Sequence, residues 1–228
     1  MAQRKGITAM GGAAKPAKHK GFLMVSMEPT PAYDEEFNDW YDMEHVPERT
    51  RIPGFESGRR FVCLSGWPRY LSMYDLSEIG VLESDAYKKA SWNGFSAWTK
   101  RMLTKMRGQW RASGTQIYPG HVLTGNFTRL TLLRFRNAPD TLADRITQGV
   151  LANYEKRAET KQIRILRSDY SQQIDYIAWI EASAPFTTPM DVKLFGDAAP
   201  YLDIVNEYTP HWTRGPLAGV FGQKEVLS

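Results

Sequence analysis

Hydrophobic positions recur along this 228-residue chain in two rhythms, every second residue and every third to fourth. Short apolar runs bounded by Gly, Pro or Asn read as strands at Gly21–Glu28, Gly54–Gly66, Arg69–Ser77 and Arg107–Tyr118. Helical spacing covers residues 31 to 45, and Glu83 to about Lys105. Pro47 lacks a backbone donor and disfavours helical geometry at Val46, so the first helix should end there. The order is βαββαβ.

The second half repeats that order. Phe127–Asn137 reads as a strand, Pro139–Ala158 as a helix, and Lys161–Tyr170 and Asp175–Ser183 as strands. Met190–Tyr208 reads as a helix broken near Pro200, and Leu217–Val226 as the closing strand. Corresponding pieces lie about 108 residues apart. "YLSMYDL" matches "YIAWIEA", and "SAWTKR" (Ser96–Arg101) matches "PHWTRG" (Pro210–Gly215). The expected fold is therefore α+β, with two tandem ferredoxin-like repeats whose sheets face each other over one core. Residues 21–120 form the first repeat and 121–228 the second, and residues 1–20 read as a basic Gly/Ala/Lys arm. A cut near Pro119–Asn126 should leave no stable half.

Composition narrows the class. The chain is 42% hydrophobic and 24% charged, as in ordinary soluble proteins. Its single cysteine, Cys63, forbids an intrachain disulfide and fits a reducing cytoplasm. No apolar run approaches the ~20 residues of a membrane span. A net charge of +4 is too small and dispersed for nucleic acid, but it suits small anions. Seven Trp, eleven Tyr and ten Phe exceed the needs of a core this size, so some should line a pocket.

The first helix carries the candidate chemistry. At ~100° per residue, Phe37, Trp40, Tyr41, Glu44 and His45 share an arc of about 140°, while Asp39 and Asp42 point to solvent. An imidazole and a carboxylate thus face an aromatic shelf, with Arg49 and Arg51 just beyond. Imidazole moves protons near neutral pH, and arginine clamps carboxylates. The plainer alternative makes Glu44 a structural partner of Arg49 or Arg59, and His45 a helix cap. Glu44 and His45 are adjacent rather than four apart, so no metal pair is expected. Neither a Gly-rich phosphate loop nor a G-x-S-x-G elbow occurs, and His121 falls in the exposed inter-repeat linker.

"EEFNDWYDMEHVPERTRIPGFESGRRFV", followed by "PRYLSMYDL" and "AWTKRM", resembles the dimeric α+β barrel superfamily, and within it the EthD-like group of small bacterial proteins. The likeness covers Gly21 to about Arg107; the second half fits as a diverged copy without the Trp, His and Pro. It implies a barrel with a cavity for a small, anionic, aromatic-derived ligand, and pairing as a homodimer. The activities in that superfamily are diverse, so the fold does not fix the chemistry.

Four functions follow. The first is a cofactor-independent isomerase of an aromatic ring-cleavage product. Here His45 is base or acid, Tyr41 donates to an enolate oxygen, and Glu44 orients the imidazole. Arg49, Arg59 or Arg101 would hold the substrate carboxylate; Trp40 and Trp98 would form walls, and His211 and Trp212 the rim. Arg59 and Arg60 alternate, so at most one faces the site. The others are a haem protein ligated by His211, a cofactorless monooxygenase, and a non-catalytic ligand-binding subunit.

Overall fold

The structure is a computed structural model that describes residues 19–171 and 173–211. The first repeat contains β1 (Gly21–Pro29), α1 (Asp34–Trp40), α2 (Val46–Thr50), β2 (Arg59–Ser65) and β3 (Tyr70–Leu76). It closes with α3 (Asp85–Lys89), α4 (Ala97–Leu103) and β4 (Met106–Tyr118). The second contains β5 (Arg129–Phe135), α5 (Ala143–Tyr154), β6 (Thr160–Ser168), β7 (Asp175–Ala182) and β8 (Leu202–Pro210). Every strand pair is antiparallel, and the order β1-β3-β2-β8-β5-β7-β6-β4 closes on itself. The fold class is the expected α+β: a βαββαβ repeat and a second in which a 3-10 segment stands in place of the second helix, joined into one barrel.

Strand alternation sorts the side chains. From β1, Phe22 and Met24 point into the barrel, with Leu71 and Met73 of β3 and Ala112 of β4. Leu130, Leu132, Leu166, Ile177 and Trp179 of the second repeat complete that shared interior. The intervening residues Leu23, Met27 and Tyr74 face the first repeat's helices. Ile163, Ile165, Tyr176, Ala178 and Ile180 face α5. Two of these layers differ in filling. In the second repeat, Phe135, Ile146, Val150, Tyr154 and Phe195 pack the space between helix and sheet. Gly149 lets that packing close, since a Cβ there would stand 2.4 Å from Phe195.

Local structure departs from the pattern in three places. Pro47 does not end the first helix. Residues Tyr41–His45 form a π turn in which the Val46 N–H donates to Tyr41 O, five residues back, and helix resumes at Val46–Thr50. The wider turn relieves the clash that a proline ring makes with the carbonyl of the preceding α turn. The expected helix from Glu83 to Lys105 is three short pieces. Ser84 and Ser96 cap α3 and α4 through side-chain bonds to Tyr87 N and Thr99 N, and Trp92 between them has φ +52°. Met190–Tyr208 is not one helix: a 3-10 segment, Val192–Tyr201, leads into β8. Pro200 and the β-branched run after it favour that switch.

Of the match of "SAWTKR" with "PHWTRG", Ala97–Arg101 lies in α4 and Pro210 ends a strand, while residues 212–215 lie outside the described residues. The match of "YLSMYDL" with "YIAWIEA" holds, as β3 with β7. Leu217–Val226 and most of the expected arm lie outside the described residues. Among those described, no helix is long and apolar enough to cross a membrane.

Candidate functional site

A cavity of about 390 Å³ lies between the outer face of β1, β3 and β4 and the helices of the first repeat. Leu23, Val25 and Met27 form its floor; Trp40, Tyr41, His45 and Arg49 line it from the first helix, and Tyr74, Gln109 and Arg111 from β3 and β4. Tyr87, Trp92 and Phe95 close the far side, and Tyr170 reaches in from the second repeat. Its volume falls at the small end of the ~300–1,000 Å³ common for ligand sites. Among the described residues, the lining contains two arginines and no Asp or Glu.

The π turn sets the geometry of the first helix. His45 stacks against Trp40, with ring centroids 4.5 Å apart, and meets Tyr41 edge to face at 5.3 Å. Its Nδ1 is buried without a hydrogen-bond partner. Burial first, and then the charges of Arg49 and Arg60, push its pKa well below the usual histidine value. The imidazole is therefore neutral at physiological pH, with a lone pair to offer. One extra residue in the turn also brings Arg49 round onto the cavity. Arg49 is 3% exposed, donates to Ser91 Oγ at 3.3 Å, and lies over the rings of Tyr87 and Phe95 at 5.3 and 5.8 Å. Across the cavity, Arg111 donates to the Tyr87 hydroxyl at 3.1 Å and stacks on Tyr170 at 4.7 Å.

Tyr41 lines the cavity, but its hydroxyl turns toward the sheet. It shares a 3.3 Å hydrogen bond with Ser72 Oγ, and Ser72 donates to Val25 O at 3.2 Å, so Tyr41 is the donor of the pair. Burial raises its pKa. Beneath it, Arg60 sits 4.7 Å from the Tyr41 ring and donates to Asp42 and Asn38 at 2.6 Å each. Asp42 is thus buried in an ion pair, not solvated; the wheel of a regular helix misplaces it because the π turn shifts the register.

Several nominated residues stand elsewhere. Glu44 does not touch His45; its carboxylate accepts from Ser96 Oγ and from Thr99 Oγ1 (3.3 Å), fixing the start of α4. Thr99 in turn accepts from Trp40 Nε1 at 3.0 Å. Arg59 faces the opposite side from Arg60 and binds the linker, donating to Gly125 O at 2.6 Å. Trp98 donates to Glu36, and Arg101 is exposed beside the same carboxylate, 3.9 Å away. His211 lies edge-on to Tyr70 with its backbone N–H bonded to Arg60 O. None of these five lines the cavity. Trp212 lies outside the described residues. His121 is exposed, as expected.

Tyr74 and Arg111 were missed. Strand alternation offered a signal: Tyr74 shares the helix-facing side of β3 with Tyr70 and Ser72, and Arg111 that of β4 with Gln109. Asking which polar residues share that face with the first helix would have nominated both.

Haem fits poorly. His211 lies edge-on to Tyr70 rather than in the lining of the cavity around His45, and the second repeat's helix–sheet space is filled by Phe135, Ile146, Val150 and Phe195. Among the described residues no His, Cys, Asp and Glu cluster would hold a metal.

Comparison with known proteins yields folds rather than sequence relatives. No protein-family model and no curated protein matches the chain. An anthrone oxidase-like protein matches in structure at 13% identity and a TM-score of 0.65, over 93% of this chain and 98% of its own. A candidate monooxygenase from Lactobacillus acidophilus NCFM matches at 7% identity and 0.50, over 85% and 94%. A heme-binding protein from Thermus thermophilus also matches at 7% and 0.50, over 85% and 91%. The chain shares the α+β barrel fold of these proteins, with both ferredoxin-like units carried in one polypeptide.

Proposed function

We propose that the chain is an enzyme that removes a proton from a small, conjugated, oxygen-bearing aromatic substrate, with His45 as base and no cofactor. The observation that carries this reading is a neutral, half-buried imidazole whose buried Nδ1 has no partner, in a cavity whose described lining holds two arginines and no carboxylate. A proton on His45 alone would meet the charges of Arg49 and Arg60. A substrate that becomes an anion as it gives up that proton offsets the repulsion, so proton transfer and anion formation favour each other. Arg49 and Arg111 hold the negative charge, and Trp40 and Phe95 supply apolar walls.

The likeness to an anthrone oxidase-like protein and a candidate monooxygenase supports molecular oxygen as the acceptor. A methylene activated by flanking rings gives its proton to His45, and the carbanion adds to oxygen. The peroxide takes the proton back; loss of the second methylene proton with cleavage of the O–O bond leaves a ketone and water. The balance is R₂CH₂ + O₂ → R₂CO + H₂O. A second reading, isomerisation of a ring-cleavage product, is favoured by the buried Arg49, whose guanidinium suits a substrate carboxylate. There His45 returns the proton to a different carbon.

Both readings share the first step, and one series of measurements separates them. Anthrone and a panel of dienoates are incubated with the protein in D₂O, and oxygen uptake and proton NMR are followed. Oxygen consumption with anthrone supports oxygenation, and a shifted double bond without oxygen uptake supports isomerisation. His45→Ala should lower either rate by ~10²–10⁴-fold. Equal rates in that variant would remove His45 from the mechanism. A cytoplasmic homodimer belongs to the same proposal, and sedimentation of the full chain tests its assembly.

A further inference from the structure

The cavity holds a second chemical resource beside the base. Tyr74 of β3 is 1% exposed, lines the cavity, and its hydroxyl makes no hydrogen bond of ordinary geometry. Burial drives its pKa far above the usual tyrosine range, which favours the protonated phenol. An unsatisfied buried hydroxyl is costly, and folded proteins seldom keep one without a use. Tyr41, the phenol nominated by the helix pattern, has its proton committed to Ser72. Tyr87 accepts from Arg111, and its hydroxyl serves to fix that guanidinium. Of these three cavity phenols, Tyr74 alone makes no hydrogen bond of ordinary geometry.

We infer that Tyr74 is a further catalytic residue: it donates a hydrogen bond to the substrate's carbonyl or phenolic oxygen and so selects substrates that carry an oxyanion-forming group. The inference rests on the proton-abstraction reading above and adds the recognition of the oxygen. When His45 takes the proton, charge moves from carbon to that oxygen. A fixed neutral donor strengthens its bond as the charge grows. The fit is also selective. A ligand lacking the oxygen leaves the Tyr74 hydroxyl buried and unpaired, which is the arrangement that discriminates most strongly between analogues. The ligand class is therefore a planar phenol or enolisable aryl ketone, rather than a plain hydrocarbon or an alkyl carboxylate.

The test uses the full chain and 4-nitrophenol, whose phenolate absorbs in the visible, together with nitrobenzene, which lacks the hydroxyl. Native protein should bind the phenolate and raise the phenolate fraction at a given pH. Tyr74→Phe should bind it ~10–100-fold more weakly. The same variant should melt no lower than the native protein, since it removes a hydroxyl that has no partner. Nitrobenzene should bind Tyr74→Phe at least as tightly as the native protein. Equal phenolate affinity in Tyr74→Phe, or no uptake by the native chain, overturns the inference. These readouts involve no turnover, so they remain distinct from the His45→Ala rates: loss of turnover in His45→Ala with unaltered phenolate binding in Tyr74→Phe would leave proton abstraction standing and remove Tyr74.

Discussion

Replacing Asp75 by Asn changes one atom inside the barrel and should cost about 3 kcal/mol. Asp75 on β3 and Arg164 on β6 are 1% and 0% exposed, and their ion pair spans the two repeats at 2.7 Å. Asp75 also accepts from Ser57 Oγ at 2.5 Å and from Thr124 N at 2.8 Å, while Arg164 donates to Thr124 Oγ1 at 2.9 Å and lies over Trp179. The linker between repeats is thus pinned at the ion pair. Removing one partner of a buried pair costs about 3–5 kcal/mol, because the other charge is left uncompensated. The lower end applies, since the charge of Glu181 interacts with Arg164. For a chain of this length the loss lowers Tm by roughly 6–12 °C. The pH dependence follows. Burial opposes the Asp75 charge, but Arg164 and the hydrogen bonds outweigh it and hold the pKa below the usual carboxylate value. The stabilisation is therefore present above the unfolded carboxylate pKa and lost as pH falls through the folded one. Urea titrations at pH 7 and in acid measure both effects. The double variant Asp75→Leu/Arg164→Met should lose much less than Asp75→Asn alone. A loss below about 1 kcal/mol for Asp75→Asn at pH 7 would refute the reasoning, because the pair would then behave as a surface contact.

Four other outcomes are expected. The acid limb of kcat/KM should lie well below the ordinary histidine value, because His45 stays neutral until its depressed folded pKa is reached; a limb at the ordinary value would assign it to another group. His45 and His211, the latter lowered to about 4, both favour the neutral form, so stability should fall as pH drops below the unfolded histidine pKa of about 6.5, as acid titration of the fold would show. Glu44→Gln should keep near-native turnover and cost about 1 kcal/mol in a melt, since Glu44 holds Ser96 and Thr99 rather than the imidazole. Gly149→Ala should cost roughly 1–3 kcal/mol by pressing a Cβ against Phe195, measured by urea unfolding.

The sequence made the barrel legible because strand alternation and turn residues act locally. β1, β3, β4, β5, β6 and β7 fall where the pattern puts them. β8 was misread because "YLDIVNEYTP" carries a helix-compatible spacing, and only pairing with β2 and β5 makes it a strand. Four nominated residues, Trp40, Tyr41, His45 and Arg49, share one cavity. The wheel placed Glu44 and Asp42 wrongly because it assumes one fixed turn angle, and a π turn breaks it. Arg59, Trp98 and Arg101 were chosen for their chemistry, but their partners are Gly125 and Glu36, contacts that no periodicity encodes. Tyr74 was hidden in plain alternation, because an unpaired hydroxyl shows only when every neighbour is placed.

The closed ring of strands has a consequence for how such a site can change. In a ring made by two identical chains, each substitution enters both halves at once, so a residue that improves one cavity must be tolerated in the other. Here β2–β8 and β4–β6 seal the ring within one polypeptide, and each substitution is made only once. The half that packs Phe135 and Phe195 into its own interior therefore does so without filling the cavity around His45, and it can spend a loop residue, Tyr170, on its neighbour's mouth.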